Sequence, residues 1–156
     1  MEKLELKHLA AYLPYGINVK HIEYENLCGQ EIVNFTKIES ICNDWVTFTK
    51  GCDWWFDSEN DCEFKLILHP LSDLTKPIVV EGYNDGKEFI PADIIFPKNE
   101  YKNEFERDIA IGALKLQNAI NHSCTYYSIV EILLSWHFDV FNLIANNLAF
   151  DINEIK

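Results

Sequence analysis

Trp45-Val46-Thr47-Phe48-Thr49 is the stretch that sets the class of fold. Successive side chains of a strand point to opposite faces, so it places Val46 and Phe48 on one face and Trp45 with Thr47 on the other. A half-buried strand needs that alternation. Upstream, Ile17, Val19 and Ile22 begin a similar pattern that runs through Tyr24, and Glu31 to Thr36 carries Ile32 and Val33 into Phe35. Downstream, Phe64 to Leu68 gives a fourth strand. All four are short and joined by polar links, the pattern of an antiparallel meander.

Further out the signals change. Leu4, Leu6, Leu9, Ala10 and Leu13 suit a short helix stopped by Pro14 and Gly16. Pro70-Leu71-Ser72-Asp73-Leu74 reads as one helical turn, with Pro at its start. Ile78-Val79-Val80 runs into Asn84-Asp85-Gly86, residues that tolerate positive φ, and Lys87 to Ile90 predicts the return arm of a hairpin. Pro91 and Pro97 bracket residues 92–96, which confines any strand there to a sheet edge. From residue 103 the apolar period becomes helical. Asn103 caps with Glu106 three residues on, and Phe105, Ile109, Gly112, Leu116 and Ile120 form the expected buried stripe of a helix ending near Asn121. Thr125 caps a second helix, 125–146, in which Ile129, Ile132, Leu133, Trp136, Val140 and Ile144 recur. It is apolar around most of its circumference, which predicts burial of more than one face, in the domain's own core or against another chain. The expected architecture is α+β: a small antiparallel sheet from the first two-thirds, with two C-terminal helices packed on one face.

The 156 residues, 48% hydrophobic and with six Gly and five Pro, suit one folded domain spanning 1–156. The net charge is −12. Such a field disfavours direct nucleic-acid binding and anionic membrane surfaces, and favours a basic partner. The first seven residues alternate charged and apolar side chains, unlike a signal peptide, and no apolar run approaches transmembrane length. Five cysteines, an odd number, fit a reducing compartment. The expected location is the cytoplasm.

Half of the charge excess lies in residues 39–63, where seven carboxylates face one lysine and are threaded with Trp45, Phe48, Trp54, Trp55 and Phe56. The heart of it is Asp53, Trp54, Trp55, Phe56, Asp57, Glu59, Asp61 and Glu63. Three consecutive large aromatics do not readily share one core, which leaves at least one for the surface. Trp is a residue of interface hot spots, and an acidic rim steers a basic partner. This segment is the expected partner-binding site.

No pattern supports an enzyme or a cofactor. Asp57, Glu59, Asp61 and Glu63 resemble the opening of a calcium loop, but Cys62 stands where that loop needs Gly and Leu68 where it needs a bidentate carboxylate. Cys42, Cys52, Cys62 and His69 lack the close ligand pairs of a structural zinc site. His122, Cys124, His137 and Asp139 are the right types for nucleophilic catalysis, yet a packed histidine in an aromatic-rich helix is the commoner role of His137. The six glycines never fall in a phosphate-cradling spacing.

Three blocks in order, Leu6-Lys7-His8-Leu9-Ala10 with Tyr12-Leu13-Pro14-Tyr15-Gly16, then Pro70 to Lys76, then Trp136 to Phe141 with Ala149 to Asn153, resemble an uncharacterised protein family of Bacteroidetes phages and prophages. Residues 50–63 depart from it, being longer and more acidic. The resemblance implies a viral protein of the host cytoplasm in the host-takeover or anti-defence class, anti-CRISPR proteins among them. The type VI-B RNA-guided RNA nuclease, or its guide-RNA complex, is the target so implied. The leading expectation is a non-enzymatic inhibitor that binds a basic host protein through residues 53–63. The alternative is a phage structural or assembly protein self-associating through helix 125–146.

Overall fold

The computed structural model describes residues 4–25, 30–42, 45–50, 54–55, 62–115 and 127–155. The chain divides into two compact units, residues 1–68 with 143–156, and residues 69–142. The fold is α+β. No helix among the described residues is long and apolar enough to cross a membrane.

The first unit is built on a six-stranded sheet in the order β4-β3-β2-β1-β5-β6. Helix α1 (Leu6–Tyr12) runs into a 3-10 turn at Leu13–Tyr15, and Gly16 closes it at φ 66°, a left-handed conformation that glycine adopts without strain. Strands β1 (Asn18–Glu25), β2 (Gln30–Ile41), β3 (Trp45–Phe48) and β4 (Trp54–Trp55) follow in antiparallel succession. Strand β5 (Cys62–Leu68) pairs with the other side of β1, also antiparallel. The expected meander is present through β3, with β2 longer than its sequence signal; β4 was not expected, and the fourth expected strand, β5, pairs with β1 instead of continuing the meander.

One expectation needs correction here: the sheet is mixed. Strand β6 (Ala149–Asp151) lies parallel to β5, with Leu66 opposite Ala149 and Leu68 opposite Asp151. Parallel neighbours require a crossover connection, and residues 69–148 supply it. Three residues are too few for a periodic signal, so β6 is invisible in the sequence.

Register explains burial. Val19, Thr36, Ile38, Val46, Phe48, Phe64, Leu66 and Leu68 are buried along one face. With Val19 inward, the period of two turns His21 inward as well, and Ile22 outward to a half-buried position. His21 is fully buried and stacks on Phe48, ring centroids 4.7 Å apart. Leu9, Tyr12, Ile17 and Leu143 complete this core. Each such side chain is worth about 1.5–3 kcal/mol of burial.

In the second unit, Pro70 precedes a 3-10 helix at Leu71–Thr75, as its sequence predicts. The hairpin expected at 78–90 is reduced to one bridge, in which Ile78 and Phe89 exchange N–H···O bonds of 2.9 and 3.0 Å. Gly82, Asn84, Asp85 and Gly86 all have positive φ, so the chain coils too widely for a tight two-strand ladder. Rings substitute for it: Tyr83, Phe89 and Trp136 meet pairwise at 4.7–5.2 Å. The segment between Pro91 and Pro97 is not an edge strand but helix α2 (Pro91–Ile95), because Pro91 at the first helical position pre-sets its φ.

Helix α3 (Glu104–Lys115) is capped as expected, the Glu106 N–H donating to Asn103 Oδ1 at 2.9 Å. Its buried face is not the expected one. Arg107, Ile111 and Leu114 point inward, whereas Phe105 and Ile109 are 73% and 55% exposed; Leu116 and Ile120 lie outside the described residues. Arg107 can be buried because its head is satisfied: Nε donates to the Phe96 carbonyl at 2.7 Å, and a terminal nitrogen pairs with Asp93.

Helix α4 covers Tyr127–Ser135 and stops well short of the expected 146; Thr125, its expected cap, lies outside the described residues. It stops in a Schellman motif: Phe138 N–H donates to Leu133 O at 2.9 Å, His137 N–H to Leu134 O at 3.0 Å, and His137 takes φ 58°. The same pair of bonds recurs in the first unit, from Leu148 to Leu143 and from Asn147 to Ile144, with Asn147 left-handed. Residues past 135 therefore turn rather than continue a helix. Val130, Leu133, Trp136, Phe138 and Val140 are buried within the chain, so the continuous apolar helix proposed for self-association does not form.

Candidate functional site

Of the acidic, aromatic segment, Asp53, Phe56, Asp57, Glu59 and Asp61 lie outside the described residues. The structure places the backbones of the other three. Trp54 and Trp55 are strand β4, paired with Val46 and Trp45, and among the described residues β4 is the outermost strand at its end of the sheet. Glu63 is in β5 opposite Ile22, so it and the tryptophans are separated by three intervening strands. Its described residues therefore fall at two places, Trp54-Trp55 in an outer strand and Glu63 in an interior one.

The other candidates do not assemble. Cys52, His122 and Cys124 lie outside the described residues, and Cys42 is a half-buried free thiol. Among the described residues no group of three His, Cys, Asp or Glu side chains could hold a metal ion. In the second unit the His69 backbone bridges residues 137 and 139, its N–H donating to His137 O at 2.8 Å and its carbonyl accepting from Asp139 N–H at 2.9 Å. Its buried ring lies 3.7 Å from the Asp73 carboxylate, and Asp73 also pairs with Lys76. These contacts brace the 3-10 helix at 71–75 and the turn after α4.

A different surface does assemble, on the outer face of the sheet. Because Val19 and His21 point inward, Asn18, Lys20 and Ile22 point outward from β1; by the register, Lys37, Phe35 and Val33 stand opposite them on β2. Lys65 faces Lys20 from β5, and Phe150 of β6 stands beside Ile67. Phe35 is 54% exposed and Val33 nearly as open. The ammonium groups of Lys20 and Lys65 sit 4.9 and 5.3 Å from the centre of the Phe150 ring, and Lys65 also donates to Asn147 Oδ1 at 2.7 Å.

Two recesses open on this face. The larger, about 450 Å³, has an apolar wall of Phe35, Ile67, Ile152 and Ile155. Asn18, Thr36, Lys37, Thr49 and Lys50 complete its lining. The Thr36 and Thr49 hydroxyls are 2.8 Å apart, and Thr36 Oγ1 also accepts the Lys50 N–H at 2.9 Å. The smaller recess, about 90 Å³, is lined by Lys20, Ile22, Phe64, Lys65 and Phe150. Every charged residue lining either recess is a lysine.

In a chain of net charge −12, the linings of both recesses carry lysines and no carboxylate. Sequence reasoning missed this face because its lysines lie on separate strands and converge only through register. The available signal was the alternation in Asn18-Val19-Lys20 and Phe35-Thr36-Lys37.

No protein-family model, curated protein or solved structure matches this chain.

Proposed function

We propose that this protein is a non-enzymatic, phage-type inhibitor that binds a basic host protein through residues 53–63. A CRISPR effector, the type VI-B RNA-guided RNA nuclease or its guide-RNA complex, is the partner class. The observation that carries the reading is the position of Trp54-Trp55 at the sheet edge, where the acidic run begins. An edge strand has one row of N–H and C=O groups turned away from its own sheet, and a partner strand can add to it. Carboxylates next to Trp54-Trp55 in the sequence raise the rate of encounter with a positive surface and lower it for nucleic acid. Action in the bacterial host cytoplasm belongs to the same reading.

The test is titration of the purified chain into a purified type VI-B nuclease loaded with guide RNA, reading target-RNA cleavage and complex formation. The reading expects inhibition with a measurable complex, and loss of both when Asp57, Glu59 and Asp61 are changed together to lysine. Full cleavage in the presence of a large excess of chain refutes the partner class. Inhibition that survives the triple reversal refutes the site.

A further inference from the structure

We propose that the chain associates with a second copy of itself through the open edge of β2 at residues 31–35, the two β2 strands pairing antiparallel about a two-fold axis at Val33. This contact does not rest on the function proposed for residues 53–63.

Backbone register locates the edge. Lys37 turns its N–H and C=O toward β3, where the Thr49 hydroxyl and N–H meet them at 3.3 and 3.0 Å, while the Ile38 N–H turns the other way to Ile17 O. Alternation then aims the backbone groups of Phe35, Val33 and Glu31 to the β3 side and those of Thr36, Asn34 and Ile32 to β1. The ladder between β2 and β3 covers residues 38–41 of β2, so among the described residues no strand pairs with that side of β2 at 30–36. Along this stretch Ile32, Val33 and Phe35 are 41%, 44% and 54% exposed. Residues 32–35 carry no charge and no proline, and the register shift of this strand lies beyond them, between Ile38 and Ser40. Charges, prolines and bulges are what keep a free edge from pairing.

A second copy is the occupant that this edge specifies. Lys37 already bonds Thr49, so Glu31, Val33 and Phe35 are the residues with outward groups to offer. A two-fold at Val33 is the register that matches all three to the same three: Glu31 to Phe35, Val33 to itself, Phe35 to Glu31. Each pair exchanges two N–H···O bonds. That register sets no two like-charged residues opposite each other. On the outer face it brings Val33 of each copy diagonally beside Phe35 of the other, and on the inner face it brings the two Ile32 side chains diagonally together, contacts that stabilise antiparallel strands. The net charge of −12 opposes the approach of two copies at long range, and salt screens it.

Sedimentation equilibrium of the full chain over about 1–300 µM, in about 0.3 M salt, reads the association, with Kd expected on the order of 10 µM for so small a contact. Val33→Lys, at an exposed position, should weaken it at least tenfold while the thermal unfolding curve stays in place. Val33→Cys, oxidised with glutathione disulfide, should give a covalent dimer that peptide mass spectrometry shows joined at position 33, because hydrogen-bonded antiparallel partners stand about 5.5 Å apart at Cα, within disulfide reach. A chain that stays monomeric over the whole range overturns the proposal and leaves the edge to a strand of an unlike protein. So does a dimer that Val33→Lys leaves intact, or one in which the substituted positions do not cross-link. A dimer that Phe105→Lys dissolves and Val33→Lys does not lies on the outer face of α3 and overturns it too.

Discussion

Replacing Arg107 by alanine is expected to destabilise the protein more than replacing either large apolar residue on the outer face of the same helix. The magnitude follows from what the guanidinium touches. Its Nε–H is the donor to the Phe96 carbonyl, and Phe96 is itself buried; leaving that oxygen without a donor costs about 1–2 kcal/mol. The pair with Asp93 adds about 0.5–1 kcal/mol, discounted because the Asp93 side chain is half exposed. The buried methylene stem contributes about 1 kcal/mol more through packing. The total is about 3 kcal/mol, roughly a 150-fold change in the folding equilibrium and a fall in Tm of about 6–12 °C. Phe105→Ala and Ile109→Ala remove side chains that are mostly in solvent and improve helix propensity, so each should stay within about 0.5 kcal/mol of wild type. Urea and thermal unfolding followed by far-UV circular dichroism measure all three. A loss above about 2 kcal/mol for Phe105→Ala with a near-neutral Arg107→Ala would refute this assignment of faces on α3.

Gly16→Ala should cost about 1 kcal/mol, since Gly16 sits at φ 66° with open space around its Cα and the penalty is backbone strain alone; equilibrium unfolding reads it. Thr36→Val removes an acceptor from the Lys50 N–H and a partner from the Thr49 hydroxyl, and is expected to cost about 1–3 kcal/mol. Thr49→Val combined with it should give a coupling energy of about 0.5–1.5 kcal/mol in a double-mutant cycle, and zero coupling would mean the hydroxyls do not bond. Leu133→Ala, at a fully buried position beside the turn that ends α4, should cost about 2–5 kcal/mol by denaturant titration.

What the sequence disclosed was period, and what it concealed was partnership. Val46 and Phe48 are buried as their alternation predicts, and the left-handed residues at Asn84 to Gly86 are where turn chemistry puts them. Periodicity alone does not say which face of a helix finds a core. On α3 the Phe105–Ile109 stripe lost to Arg107, Ile111 and Leu114, because Arg107 had hydrogen-bond acceptors in and beside α2 that no local pattern announces. The end of α4 at Ser135 was hidden because His137, not glycine, takes the left-handed position. The lysine face is a property of register among β1, β2 and β5, strands separated along the chain. Of the acidic segment, the sequence supplied the composition and the structure supplied the edge position of Trp54-Trp55.

Hydrogen–deuterium exchange of the chain alone and with a purified, guide-loaded type VI-B nuclease tests the central claim most directly. The account predicts that amides of β3, β4 and residues 53–63 slow on adding the partner, while those of α3 keep their rates. Unchanged exchange throughout residues 45–63, with protection appearing elsewhere on the chain, would contradict it.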